Sequence, residues 1–419
     1  MQHDDRAGPI GTLLGDPRII AARRHLETSD GATVARQIDI SQVPAPTGGE
    51  ERRASRIADL FGDAGLRHVG IDGAGNVRAW YGDEGRGTGD GCVVLSAHLD
   101  TVFGPEVDVT VRQDGGRLVG PGISDNARGL AALLAIAEAL RAGRVAVGRP
   151  LLFTATVGEE GAGNLRGVKH LLGDGGRGTG DGASPRPAPA AFIALDGAGL
   201  TRVVHRALGS RRYRVTFRGP GGHSWAAFGV ANPAAAVGHA IGLLSERPTS
   251  HSPRTTCAVV GLGGGTGLNS IPAEAWLDLD LRSESPAALV QRDHEVHRAL
   301  ATARDTENRG RTPGTPPLAY EARLVGERPS GETPVTDPLV RAALVATRAL
   351  GVEAELAAAS TDASAAIALG IPAIALGAGG RAGDTHQATE WYENDEGPLG
   401  ILRALLVTVA IAGLTGGRP

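Results

Sequence analysis

Apolar residues along this chain follow two periodicities, and the switch between them divides it. Over the first two hundred residues, continuous apolar runs of strand length alternate with helical spacing. CVVLSAHLD (92–100), LLFTATVGEE (151–160) and AAFIALDG (190–197) each carry an unbroken apolar core, as expected for strands covered on both faces. The stretches 16–43, 51–64 and 126–142 have helical spacing, with PAPTGG supplying turn chemistry between the first two. GNVRAWYG (75–82) reads as a short strand, and 172–188 reads as a Gly/Pro/Asp-rich loop. Strands alternating with helices predict an α/β sandwich with a largely parallel or mixed sheet.

The pattern then changes. RRYRVTFRG (211–219) alternates with a period of two, the mark of a half-exposed strand. NPAAAVGHAIGLL (232–244) is helical, TTCAVVGL (255–262) and EAWLDLDLRS (274–283) are strands, and PAALVQRDHEVHRALATA (286–303) is a second helix before PLAYEARLVG (317–326). The order β-α-β-β-α-β over 209–327 is a ferredoxin-like signature. From 333 the first pattern returns, with helices at 336–350 and 363–369, the strand IPAIALG, and LRALLVTVAIAGL as a buried helix packed on a sheet. The expected architecture is one α/β domain, residues 1–205 and 328–419, interrupted by a ferredoxin-like α+β domain at 206–327.

Composition narrows the function classes. At 419 residues the chain has room for two or three domains, and its net charge of -4 gives no footing for nucleic acid. Lys169 is the sole lysine beside 63 glycines, which fits genomic base composition, and Arg211 and Arg212 fit a solvated strand edge. Cys92 and Cys257 each sit in an apolar, β-branched stretch, so buried thiols and a reducing, cytoplasmic setting are expected. Two isolated cysteines exclude a zinc finger. MQHDDRAGPIG lacks the basic patch and apolar run of a secretory signal, and no stretch reaches the roughly 20 apolar residues of a membrane span. GGGTG (263–267) runs into a strand instead of a helix, so a turn fits better than a phosphate loop.

Acidic and histidine residues recur where the apolar strands end: His98, Asp100, Asp125, Glu159, Glu160, Asp196 and His386. Imidazole and carboxylate oxygen are ligands for divalent metals. His98 and Asp100, two apart, point to one side of a strand, so Asp100 can hold the imidazole while His98 binds metal. Alone, an HxD of this kind also suits a polar turn, and Asp125 before an apolar helix suits an N-cap. Glu159 and Glu160 repel each other and lose hydration at a buried strand end, which calls for a cation. The set converges on the rim where open α/β sheets bind ligands.

With these residues assembled, the chain resembles the M20 family of dizinc exopeptidases and amidohydrolases, which includes aminoacylases, carboxypeptidase G2-like enzymes, succinyl-diaminopimelate desuccinylase and peptidase T. The resemblance runs from about residue 35 onward, through SAHLDTV, GPGISDNARGLAA, TVGEEGAG, GPGGHSW, GGTGLNSIPAEAWLDLDLRS and HQATEW. It implies a zinc-exopeptidase-type catalytic sandwich whose inserted domain forms a homodimer contact. It implies two divalent ions, zinc first and cobalt or manganese as alternatives. By resemblance, His98 and Asp196 hold one ion, Glu160 and His386 the other, and Asp125 bridges them, with a cis Asp125–Asn126 peptide. Asp100 resembles the residue that orients His98, and Glu159 the general base. His223 resembles a histidine that stabilises the oxyanion across a dimer, and Asn269 and Arg282 resemble residues binding the substrate carboxylate. The STDASAAIALGIPAIALGAGG segment, with Ser360, Thr361 and Asp362, looks like the peptidase T-like branch.

The expected function is hydrolysis, by metal-activated water, of an amide bond in a small peptide or N-acyl amino acid. The alternative is an N-carbamoyl amino acid hydrolase or another C–N amidohydrolase, since the same chemistry attacks a ureido carbonyl. A silent scaffold on this fold would require loss of a ligand or the base, and all are present. His205, His239 and His251 are expected to be structural or surface residues.

Overall fold

The computed structural model describes residues 9–82, 91–173, 189–246 and 250–416. Most of the loop expected at 172–188 lies outside the described residues. The chain divides into a larger unit, Met1–Ala207 with Glu332–Pro419, and a smaller one, Leu208–Gly331.

A nine-stranded mixed sheet organises the larger unit. Its centre is four parallel strands in the order Leu151–Thr156, Cys92–His98, Pro189–Leu195 and Ala373–Leu376. Their apolar runs are continuous because both faces are covered. Val93, Leu95 and Ala97 enter one core with Phe153, Ile193 and Ile374, beneath the helices Ala127–Ala142 and Gly397–Ala412. Cys92 and Val94 enter a second core on the opposite face, with Phe192, Ala375 and the helix Ala363–Ala368. Because the four strands run parallel, their C-terminal ends share one edge, and residues 98–100, 157–160, 196 and 377 onward leave from it.

Several elements differ from the sequence pattern or escape it. The helix expected over 16–43 is broken into Pro17–Thr28 and Asp30–Ser41, because Ser29 closes the first by donating its main-chain N–H and hydroxyl to the His25 carbonyl. Arg67–Ile71, Arg202–Ala207 and Glu355–Ala359 extend the sheet outward. Arg166–Leu172 is a further short helix. A separate four-stranded sheet joins Arg112–Asp114, Arg117–Val119, Trp391–Glu393 and Arg381–Gly383, strands too short and polar to give a periodic signal.

The smaller unit has the ferredoxin-like order of strands and helices. Its antiparallel sheet runs Arg254–Gly264, Glu274–Ser283, Gly209–Arg218 and Ala319–Arg328, with a short strand at Ser250–His251 on the first edge. Leu277, Leu279 and Leu281 alternate with Trp276, Asp278 and Asp280, and only the first set enters the core with helices Pro233–Ser245 and Pro286–Gly310.

Candidate metal centre

His98 ends its strand on the parity of Cys92, Val94 and Ser96, and is 3 % exposed. Its Nδ1 lies 3.0 Å from the main-chain oxygen of Asp100. A carbonyl only accepts, so Nδ1 carries the hydrogen and the Nε2 lone pair is turned to the rim. The Asp100 carboxylate stands farther from Nδ1, at 3.6 Å. It accepts instead from Thr47 Oγ1 (2.8 Å) and from the main-chain N–H groups of Glu159 (2.9 Å) and Glu160 (3.0 Å). Asp100 thus orients His98 through its backbone and fixes the paired glutamates through its side chain.

Asp125 precedes the helix Ala127–Ala142 by two residues, with Asn126 as the N-cap, and the Asp125–Asn126 peptide is cis. Its carboxylate lies between two imidazoles, with Oδ1 2.9 Å from His98 Nε2 and Oδ2 3.1 Å from His386 Nε2. His386 Nε2 is also 2.9 Å from Glu160 Oε1, and His98 Nε2 is 3.8 Å from Asp196 Oδ1. His386 is reached through a backbone turn with φ of 68°, a left-handed conformation that a non-glycine residue adopts at a cost. Ligand atoms of His98, Asp125 and Glu160 all lie within 4.8 Å of one another.

The donor set fits divalent cations. Asp125 Oδ1 is buried and makes no hydrogen bond, although His98 Nε2 is close by. With the hydrogen on Nδ1, those two atoms oppose each other as lone pair against carboxylate, which calls for a positive charge between them. Without a metal ion that charge is a proton. Burial opposes protonation of His98, yet Asp100, Asp125 and Asp196 raise its pKa well above the usual imidazole value. His386, hydrogen-bonded by Asp125 and Glu160, is raised to about 10. Burial would push the Asp125 carboxyl up, but the two histidines hold it well below the usual range. Two imidazoles and three carboxylates of this kind suit zinc, cobalt or manganese.

Several supporting residues escape the sequence pattern. Glu50, 3 % exposed, accepts from the N–H groups of Gly48 and Gly158, the latter preceding Glu159. Asp362 accepts from the Thr156 hydroxyl, and burial pushes its carboxyl up to about 6. Glu390 accepts from Gly122, Ser124 and Asp125, and burial pushes it up to about 7. Three fully buried arginines clasp main-chain carbonyls along the rim. Arg53 donates to Ser41, Val43 and Leu99; Arg128 to Ala378 and Gly397; Arg403 to Leu200, Arg202 and Gly377. Glu390, Asp362 and Arg128 lay inside quoted segments, HQATEW, STDASAAIALGIPAIALGAGG and GPGISDNARGLAA, without a supporting role being assigned to them. The arginines had no signal, since a guanidinium in an apolar helix looks like a surface residue until its carbonyls are known.

His223, Asn269 and Arg282 belong to the smaller unit. His223 is exposed and forms a two-residue ladder with Ser270, and the Ser224 N–H donates to the Asn269 carbonyl. His223 Nδ1 accepts from the Trp225 N–H at 3.2 Å. Arg282 is held by Asp280 near the far end of the strand Glu274–Ser283, roughly 26 Å from its start at about 3.3 Å per residue. His223 and Asn269 are therefore neighbours, and Arg282 is not brought to them within the unit.

Similarities to known proteins agree with this geometry. Residues 94–409 match the peptidase family M20/M25/M40. No curated protein sequence matches the chain. Aminopeptidase PepT from Bacillus cereus superposes with a TM-score of 0.70 at 20% identity, over 91% of this chain and 98% of that one. Human carnosine dipeptidase 1 gives 0.72 at 15% identity, over 94% and 98%. A hydantoinase/carbamoylase family amidase from Burkholderia ambifaria gives 0.63 at 18% identity, over 94% and 98%. At these identities the superpositions speak for the fold, while the match to three quarters of the sequence settles the lineage: this chain is a member of peptidase family M20/M25/M40.

Proposed function

We propose that this hydrolase cleaves the amide bond of a small peptide or N-acyl amino acid with the help of two divalent ions, zinc in the first instance. The observation that carries the reading is the Asp125 carboxylate set between the Nε2 atoms of His98 and His386, with Glu160 on the second imidazole. His98 and Asp196 would hold one ion, Glu160 and His386 the other, and Asp125 both. Bound there, the ions would supply Lewis acidity and lower the pKa of a bound water.

The chain's own groups do the rest. Asp100 fixes the tautomer of His98 and holds the glutamate pair by its N–H groups. Glu159, 4 % exposed, takes the proton of the attacking water and returns it to the leaving amine. His223 stabilises the oxyanion and Asn269, its neighbour, binds the substrate carboxylate, whereas Arg282, expected to share that grip, is engaged by Asp280 away from them within the unit. The inserted unit pairs two chains as a homodimer, and both cysteines being thiols favours a cytoplasmic setting. Among the described residues no helix is long and apolar enough to cross a membrane.

A second reading is hydrolysis of N-carbamoyl amino acids, favoured by the carbamoylase-type amidase among the structural relatives. One panel separates the two: di- and tripeptides against N-acetyl, N-succinyl and N-carbamoyl amino acids, each with zinc, cobalt or manganese. Peptide or N-acyl turnover is expected. Protein holding two equivalents of metal that cleaves only ureido substrates would transfer the assignment to the second reading. Mixing His223→Ala chains with Glu159→Ala chains restores one competent site only if His223 serves the partner.

A further inference from the structure

We propose that Glu390 is a positioning residue that holds Asp125 and His386 at the separation a metal ion requires; this rests on the metal-site reading above. The two residues lie on segments 261 positions apart, and nothing within either segment sets the distance between them. Glu390 does so with its side chain and its backbone together.

The junction begins as a strand pair. Tyr392 stands opposite Leu118 and Trp391 opposite Val119 in an antiparallel ladder. At the next step the Glu390 carbonyl accepts from the Gly120 N–H at 2.8 Å. Beyond that point the backbone ladder stops and the side chain continues it. Oε2 accepts from Gly122 N–H (3.1 Å), and Oε1 accepts from Ser124 N–H and Asp125 N–H (2.8 Å each). The last of these is the main-chain nitrogen of the ligand itself. On its own side, the Glu390 N–H donates to Gln387, whose N–H donates to Asp384, closing the turn that carries His386.

The sequence requires a glutamate here. The loop 120–125 turns inward at Gly122, whose φ is 71° and where a Cβ would lie 2.7 Å from Thr101 Cγ2. That turn aims three N–H groups at one buried point. Two oxygens with four lone pairs accept all three, and Glu390 is fully buried there. Glutamine keeps the shape but presents an NH2 group to one of the N–H donors, alanine leaves all three unmet, and aspartate is one methylene short. Because each Asp125 oxygen faces a different imidazole, any drift of its main chain disturbs both halves of the site at once. Outer partners of this kind typically change metal affinity 10–100-fold.

The test uses the full-length protein and zinc alone. Zinc affinity of wild type, Glu390→Gln and Glu390→Ala is measured by competition with a chromophoric chelator, at a temperature where circular dichroism shows each variant folded. The expected result is zinc bound about 10–100-fold more weakly in the glutamine variant and more weakly still in the alanine one, with turnover rising towards wild type as zinc is raised. If alanine prevents folding, the glutamine variant decides. A glutamine variant that melts earlier but binds zinc as tightly as wild type overturns the proposal alone. Wild-type protein that binds no divalent ion overturns the metal reading and this proposal with it.

Discussion

Glu159 and Glu160 leave one strand end side by side, and their main-chain N–H groups share a single acceptor, Asp100. Their side chains then diverge in task, since Glu160 reaches His386 while Glu159 is kept for proton transfer in the proposed mechanism. Glu159→Ala is expected to leave metal content near two ions per chain while lowering kcat about 10²–10⁴-fold. Elemental analysis beside steady-state kinetics checks both halves, and loss of metal would reassign Glu159 as a ligand. Cys92, with its thiol pushed up to about 12 by burial, is expected to resist alkylation in native protein and to react fully once unfolded. Mass spectrometry of the labelled protein reads this directly. At this scale the sequence is legible where residue type is chemically costly, as with adjacent carboxylates after an apolar run. It is illegible where an ordinary polar residue acquires meaning from a distant backbone, as Thr47 and Glu50 do.

Among elements, the four central strands were readable because burial on both faces leaves them mostly apolar, with only small hydroxyls such as Ser96 and Thr154 inside, and their parallel order makes four rim positions converge. Ser29 was not readable, since a serine interrupting a helix resembles one merely exposed on it. The short strands around Arg117–Val119 and Trp391–Glu393 gave no pattern because three residues hold less than two periods. Packing of helix Glu51–Asp63 against the rim depends on Arg53, whose guanidinium meets Ser41, Val43 and Leu99 carbonyls with no exposure to water. Arg53→Ala is expected to destabilise the fold by at least about 3 kcal/mol, because buried acceptors are left without donors. Urea unfolding checks it, and a loss under about 1 kcal/mol would mean that those carbonyls find other donors.

For the whole molecule, two tyrosines define an alkaline limit. Tyr81 and Tyr392 are each pushed up to about 12 by burial. Between the ordinary tyrosine value and 12, the unfolded chain releases those protons and the native chain keeps them, so stability falls as pH rises through that window and is intact below it. Urea midpoints from pH 9 to 11.5 should decline, and Tyr81→Phe should flatten the slope. Divalent ions that bind only the native state should raise Tm in a concentration-dependent way, with a chelator reversing the gain. Calorimetry with and without chelator tests this, and an unchanged Tm would count against the centre.

The buried arginines carry a consequence for synthesis and for fragments. Arg128 is tied to Gln37, Ala378 and Gly397, and Arg403 ties Leu200 to Gly377, so the rim draws on both ends of the chain. Long-range closures of this sort slow folding, because loop-closure entropy is lost before the contacts are made. A chain released only as far as residue 390 would leave Arg128 without Gly397 as an acceptor and without Tyr392 over it, and would lack Arg403 altogether. Hydrolytic competence is therefore expected to require the helix Gly397–Ala412, which carries Arg403 and an acceptor for Arg128.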